Sequence, residues 1–175
     1  MPDKTKWIER KFEYQPPQGE YPCILARLRG TPARIEEIVR SIPKEHLTKR
    51  LGESWSIQEQ IGHLEDVEEL LDARIDDFIA GRDTLRAADM SNQRTRERDH
   101  NKKDIDLLLA SFRSTRTGIA NRLEDLDDEV IARVALHPRL NKPMRVIDMM
   151  FFFAEHDDHH IATMLETIRK LKTTQ

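Results

Sequence analysis

Two histidines near the C-terminus have the spacing of a metal site. His156 and His160 are four residues apart in the run Glu155–His160, and residues at i and i+4 lie one turn apart on the same face of an α-helix. Neutral imidazole nitrogens are good ligands for zinc, nickel and other divalent transition metals. The pair therefore predicts part of a metal site, to which another element must add a ligand.

His63 is the best candidate for that third ligand. It lies at the edge of the apolar stripe of a helix predicted to begin at Ser56, and we expect this helix to pack against the last one. Three histidines without a cysteine are typical of a catalytic ion, which keeps a position open for water or substrate. The predicted ligands are His63, His156 and His160, and the predicted ion is divalent, with Zn, Ni and Mn as candidates.

A pair of core histidines without an ion is the alternative. Asp66 and Asp157 are candidate partners that would fix an imidazole tautomer, although an exposed helix position is an equal alternative for Asp157. We expect the remaining histidines at the surface: His46, His100, His137 and His159. For His137, the mouth of a pocket is a second possibility.

The composition favours a single helical domain. The chain has 175 residues, of which 35% are charged and 38% hydrophobic, with only six glycines, and this profile suits amphipathic helices with solvated outer faces. The net charge of −3 comes from interspersed acidic and basic residues, so neither nucleic acid nor a membrane surface is an expected partner. No apolar run reaches the roughly 20 residues of a membrane span.

Cysteine usage and the N-terminal sequence indicate a reducing compartment. The single cysteine, Cys23, excludes an internal disulfide framework, and we expect it to be half-buried and inert. The first residues lack the apolar region of a signal peptide. These features predict a cytoplasmic protein.

Four long helices must position the histidines. A capping box from Ser56 to Glu59 opens the second helix and Gly81 ends it, while Thr31-Pro32 indicates a break or kink in the first. No stretch has the alternation of a strand. The predicted helices span about residues 22–41, 56–81, 104–126 and 143–172, which gives an all-α four-helix bundle.

Two segments lie outside these helices. Residues 1–20 form a predicted arm that lies on the domain of residues 21–172 through its aromatic side chains and takes no part in chemistry. The long polar crossover of residues 81–104, between the second and third helices, is predicted to be solvated. Its alternative is a lid whose arginines contact an anionic substrate.

The sequence resembles the DinB-like superfamily from about residue 22 to residue 170. The resemblance is carried by Trp55-Ser56-Ile57, Gly62–Asp66, His137-Pro138 and Glu155–His160. It implies a four-helix bundle in which a divalent metal is held by three histidines, at the positions of His63, His156 and His160. The group includes S-transferases that use bacillithiol or mycothiol.

The resemblance and the spacing together predict an enzyme. We expect a metal-dependent thiol S-transferase or hydrolase-like protein that acts on a small electrophilic substrate, with a low-molecular-weight thiol as a possible co-substrate. The crossover and residues 137–139 are expected to contact that substrate. The alternative is a non-catalytic, metal- or ligand-binding stress-response bundle. A homodimer is compatible with either function.

Overall fold

The computed structural model describes residues 4–173, so residues 1–3 of the predicted arm lie outside the described residues. Within that range the chain forms seven α-helices and one β-hairpin. In chain order they are α1 (Tyr21–Arg40), α2 (Lys44–Leu47), α3 (Ile57–Ile79), α4 (Gln93–Glu97), α5 (Ile105–Glu124), α6 (Asp128–Ala132), β1 (Val134–His137), β2 (Lys142–Arg145) and α7 (Val146–Thr173).

The four long helices make the predicted bundle. Helix α1 packs on α5 and α7, and α3 packs on the same two helices, so α1 and α3 occupy opposite corners. The capping box that predicted the start of α3 is present: the Glu59 backbone N–H donates to Ser56 Oγ at 3.1 Å, and the Ser56 N–H donates to Glu59 Oε2 at 2.9 Å. No helix within residues 4–173 is long and apolar enough to cross a membrane.

A buried polar layer divides the apolar core into two parts. Each long helix contributes one residue to it, namely Thr31, Glu68, Arg116 and Asp157, and apolar core residues flank the layer on both sides. The Arg116 guanidinium donates to Glu68 Oε2 at 2.8 Å and to Asp157 Oδ2 at 2.5 Å, and the Thr31 hydroxyl donates to Asp157 at 2.7 Å. The buried charges are thus paired, as burial requires.

Of the break or kink predicted in α1, the break is wrong, and this layer explains why. Pro32 lies inside a continuous helix, where its missing N–H leaves the Leu28 carbonyl without a helical donor. The Nη1 of Arg116 donates to that carbonyl at 3.1 Å. A side chain from α5 therefore replaces the hydrogen bond that the proline removes.

The sequence prediction missed the hairpin before α7. Strand β1 pairs with β2 in antiparallel register, with Leu136 opposite Pro143, so the last helix begins at Val146 and not at Pro143. The Asp148 carboxylate accepts the Arg145 N–H at 2.9 Å, close to the helix start. Strands of four residues are too short to show a clear alternation of apolar and polar side chains.

The crossover is more closely packed than its polar sequence predicted. Thr95 and His100 are 5% and 0% exposed and face α3, and the ring of His100 takes the space that a side chain at Gly62 would occupy. Crossover arginines bind carboxylates of α3: Arg98 Nη1 lies 2.9 Å from Asp66 Oδ1, and Arg94 pairs with Glu69. The interpretation of a purely solvated connection is therefore wrong.

Candidate metal centre and pocket

The three predicted ligands converge. Helix α3 supplies His63, and one face of α7 supplies His156 and His160. The Nε2 atom of His156 lies 3.1 Å from that of His160 and 3.4 Å from that of His63, and one ring nitrogen from each histidine lies within 4.8 Å of the others. A single ion can contact all three rings; their role as ligands remains a prediction.

Two neighbours orient these rings through Nδ1. The Nδ1–H of His160 donates to Gln60 Oε1 at 2.5 Å, and that of His63 donates to Thr95 Oγ1 at 3.2 Å. The Thr95 hydroxyl gives its own proton to the Asp66 carboxylate, so its oxygen is free to accept from His63. Both imidazoles are thereby held in the tautomer whose Nε2 lone pair points to the common centre.

The electrostatics of the cluster suit a cation. Burial lowers the pKa of His63 to about 4, and burial also holds the pKa values of His156 and His160 well below 6.5, so the rings are neutral at pH 7. Neutral imidazole is the form that binds metals. Lone pairs directed at one point repel one another unless a positive charge lies between them, and the three residues therefore fit a divalent ion.

The two aspartates predicted to support the rings have other partners. Asp66 accepts from His100 Nε2 at 2.8 Å and reaches His63 only through Thr95. Asp157 was predicted either to support an imidazole or to be exposed. It does neither: it is fully buried and belongs to the polar layer with Arg116. Sequence spacing placed both aspartates near the histidines. It did not show that His100 of the crossover binds Asp66 or that Arg116 binds Asp157.

Most of the other histidines are not at the surface. His46, His100 and His137 are 7%, 0% and 2% exposed, which corrects the surface prediction for all three. His137 lines the pocket, as its alternative proposed. His159 is half-buried and also lines the pocket: its ring lies 5.6 Å from that of Trp7, and its Nε2 lies 3.5 Å from Lys4 Nζ. Cys23, expected to be half-buried, is exposed.

An aromatic cavity of about 280 Å³ opens beside the three rings. The ring of Trp55 is 4.9 Å from that of His63, and the ring of Trp7 is 5.1 Å from that of His156, edge to face. Phe152 continues the wall at 5.1 Å from Trp7. These rings give the cavity an apolar, aromatic wall next to the candidate metal centre.

Trp7 belongs to the predicted N-terminal arm and yet forms part of this wall. The expectation that the arm takes no part in the site is therefore corrected. Phe12 packs on Trp7 at 5.0 Å, and Arg10 pairs with Glu155 of α7. The aromatic content of the arm was the signal that it lies on the domain, but nothing in the sequence placed Trp7 beside a histidine. The division at residue 20 remains a prediction.

Gln60 and Thr95 were missed for different reasons. Gln60 lies three residues before His63 on the same helix, a spacing that places it near that ring and that was a usable signal. Thr95 lies 32 residues from His63 in a polar crossover. Only the folded chain shows that Thr95 lies close to His63.

Comparisons with known proteins support the fold and the family. The family model described as the DinB superfamily matches residues 27–164. No protein with a curated description matches the sequence. Among solved structures, YfiT from Bacillus subtilis, described as "a probable metal-dependent hydrolase with an unusual four-helix bundle topology", superposes with a TM-score of 0.81 at 19% identity and covers 94% of each chain.

A second solved structure, a mycothiol-dependent maleylpyruvate isomerase, matches with a TM-score of 0.65 at 10% identity. The match covers 81% of this chain and 59% of the isomerase. At these identities the two structures support the four-helix fold alone, whereas the family model spans most of the sequence, including His63, His156 and His160. The chain belongs to the DinB superfamily.

Proposed function

We propose that the protein is a metal-dependent thiol S-transferase that joins a low-molecular-weight thiol to a small electrophile. The convergence of the Nε2 atoms of His63, His156 and His160 on one point carries the proposal. A divalent ion bound there would supply a Lewis acid that lowers the pKa of a coordinated thiol or water. With three protein ligands, a position would remain open for that molecule.

The residues around the cluster have two tasks in this proposal. Gln60 and Thr95 hold the rings of His160 and His63 in the binding tautomer. The aromatic wall excludes water from the cavity, which strengthens electrostatic interactions there and protects a thiolate from protonation. In the transfer itself the thiol loses its proton to water, and its sulfur forms the bond to the electrophilic carbon. That carbon either releases its leaving group with the bonding electron pair or, in an unsaturated substrate, gives up its π bond, after which the neighbouring carbon takes a proton from water.

The scarcity of carboxylates in the described cavity wall favours thiol transfer over hydrolysis, which would have to use the neutral imidazole of His137 or His159 as its base. Hydrolysis by a bound water benefits from a general base within hydrogen-bond reach. Asp89 is the carboxylate in the described cavity wall, and its oxygens already accept from the Ser91 N–H at 2.8 Å and the Gln93 N–H at 3.2 Å. A thiol, which ionises more readily than water, needs no such base.

A metal-dependent hydrolase is the second candidate. The description of YfiT as a probable hydrolase, together with a superposition over 94% of both chains, favours it. The two candidates share the metal centre and differ in the nucleophile. The non-catalytic stress-response bundle remains the alternative if neither reaction is found.

Metal content is the first test. We expect near-stoichiometric zinc, nickel or manganese in natively purified protein by elemental analysis, and its loss in His63→Ala, His156→Ala and His160→Ala while the helical circular dichroism persists. His159→Ala is the matched control, because it removes a neighbouring histidine of α7 whose Nε2 lies 3.5 Å from Lys4 Nζ and which does not belong to the convergent group of three. Absence of metal, even after incubation with each ion, would refute the enzyme proposal.

Thiol binding separates the candidates. In cobalt-substituted protein, an S-transferase should develop a thiolate-to-metal charge-transfer band when bacillithiol, mycothiol or cysteine is added, and it should consume an electrophile only when the thiol is present. A hydrolase should show turnover of esters or amides without thiol. A protein that binds metal but shows neither reaction would support the non-catalytic alternative.

Assembly and location are part of the proposal. We expect a protein of the cytoplasm that requires no nucleic acid or membrane partner and that can form a homodimer. Sedimentation velocity at several protein concentrations tests the dimer, and a monomer at all of them would refute it. Cell fractionation tests the location.

A further inference from the structure

The end of the cavity away from the candidate metal centre carries positive charge. Arg74, His137 and Arg139 line the same cavity as His156. The Cζ atom of Arg139 lies 5.9 Å from the centre of the Phe152 ring, and the His137 ring lies 5.4 Å from it. The Cζ atom of Arg74 lies 5.8 Å from the centre of the neighbouring Phe153 ring. We call these three side chains, of which the two arginines are charged, the basic end of the pocket.

Neither arginine of the basic end has a carboxylate partner within residues 4–173. Arg139 is exposed and makes no hydrogen bond or ion pair there. Arg74 is only 1% exposed, yet its Nε and Nη2 both donate to one neutral acceptor, the Arg86 carbonyl, at 3.1 and 3.0 Å. The carboxylate whose charge acts on Arg74, that of Asp77, pairs directly with Arg82 and Arg86 instead, and a buried guanidinium without a counter-ion in direct contact is unfavourable. An anion in the cavity would relieve this cost.

The charges of the two arginines also act on the neighbouring groups. Burial lowers the pKa of Arg74 to about 10; the charge of Asp77 opposes this shift, and the charge of Arg139 adds to it. Burial together with both arginines lowers the pKa of His137 to about 4. The hydroxyl of Tyr14 lies in the field of the same two arginines and is buried without a hydrogen-bond partner among the described residues. It is a neutral donor close to the unpaired charges.

We propose that the basic end of the pocket binds the carboxylate of the substrate, with Arg139 as its principal ligand and Arg74 as a supporting charge. The electrophile is then a small organic acid with an apolar or aromatic body that packs between Trp7, Trp55 and Phe152. Phe152 precedes His156 by four residues, which is roughly 6 Å along a helix. The carboxylate and the reacting atom are therefore separated by only a few bonds.

The role of this acid as the electrophile rests on the function proposed above, but its binding does not. The two tryptophans of the chain, Trp7 and Trp55, both line the cavity, so intrinsic fluorescence reports its occupancy in metal-free protein. The probes are phenylacetate and phenylacetamide, which have nearly the same size and differ in charge. We expect phenylacetate to quench the fluorescence at concentrations about tenfold or more below those of phenylacetamide.

The Arg139→Gln variant identifies the ligand. Because Arg139 is exposed and makes no ion pair with residues 4–173, its replacement leaves the fold intact, and we expect phenylacetate to bind about tenfold more weakly while phenylacetamide is unaffected. Arg40→Gln is the matched control: it removes the same charge from a side chain that is 80% exposed on α1, outside the cavity wall. It should leave both affinities unchanged.

Two results would overturn the proposal. One is equal binding of phenylacetate and phenylacetamide to wild-type protein. The other is binding of phenylacetate only after zinc is added, with no effect of Arg139→Gln, because the carboxylate would then contact the ion. If Arg139-dependent binding occurs without metal while no thiol transfer is found, the anion site stands and the proposed S-transferase function fails.

Discussion

Gly62 lies on α3 where the ring of His100 packs against the helix. A Cβ atom built at Gly62 would lie 2.1 Å from Cγ of His100 and 2.3 Å from its Nδ1, far inside van der Waals contact. The ring cannot easily retreat, since it is fully buried and its Nε2 donates to Asp66 at 2.8 Å. Gly62→Ala should therefore push the crossover away from α3.

Two opposing effects set the magnitude. Overpacking a closed core costs about 1–3 kcal/mol, and the upper end applies to a contact this short. Alanine in place of glycine inside a helix contributes about 1 kcal/mol in the other direction. The net expectation is a loss of about 2 kcal/mol in the free energy of unfolding. In a His100→Gly background the clash is absent, so the same substitution should stabilise by up to about 1 kcal/mol.

Urea unfolding followed by circular dichroism measures this sign reversal in the four proteins of the cycle. Gly118→Ala is the matched control, because that glycine is also inside a long helix and nothing lies within 4 Å of an added Cβ; it should stabilise. Equal destabilisation by Gly62→Ala in both backgrounds would show that contact with His100 is not the cause, and the description of the crossover as packed on α3 would have to be abandoned.

Three further predictions concern the polar layer and the pocket. Arg116→Met leaves the buried carboxylate of Asp157 unpaired and should lower the free energy of unfolding by about 3–5 kcal/mol; a urea midpoint close to wild type would contradict this. Thr95→Val removes the acceptor of the His63 Nδ1–H and should weaken metal binding about 10–100-fold in a chelator competition, with little change in circular dichroism. Burial holds the pKa of His137 at about 4, below the 6.5 of an unfolded histidine. The unfolded chain therefore takes up the proton first, and the free energy of unfolding falls as the pH drops from 6.5 towards 4. Metal-free His137→Asn should show a fall that is shallower by up to about 1.4 kcal/mol per pH unit, and an unchanged slope would refute this prediction.

Local patterns in the sequence were sufficient for the existence of the four long helices and for the histidine pair. A helix places His156 and His160 on one face whatever surrounds it, and the capping box of Ser56 and Glu59 satisfies its own backbone donors within four residues. Such features depend on short-range geometry alone. The apolar periodicity of the long helices likewise predicted a bundle, because each helix must cover its apolar stripe.

Contacts between distant parts of the chain decided the rest. Pro32 stays inside a helix because Arg116, 84 positions later in the printed sequence, supplies the missing donor. Thr95 supports His63 because His100 fits into the space above Gly62. None of these partners has a fixed spacing from the residue it serves.

The candidate site shows the same division. The types and spacing of His63, His156 and His160 were legible in the sequence, since metal-binding chemistry is a property of the side chains themselves. The neutrality of the rings results from burial, and the aromatic wall and the two arginines without carboxylate partners come together only in the folded chain. Burial arises only when the bundle, the crossover, the hairpin and the arm close around one cavity, because desolvation is a property of the packed structure and not of any segment within it.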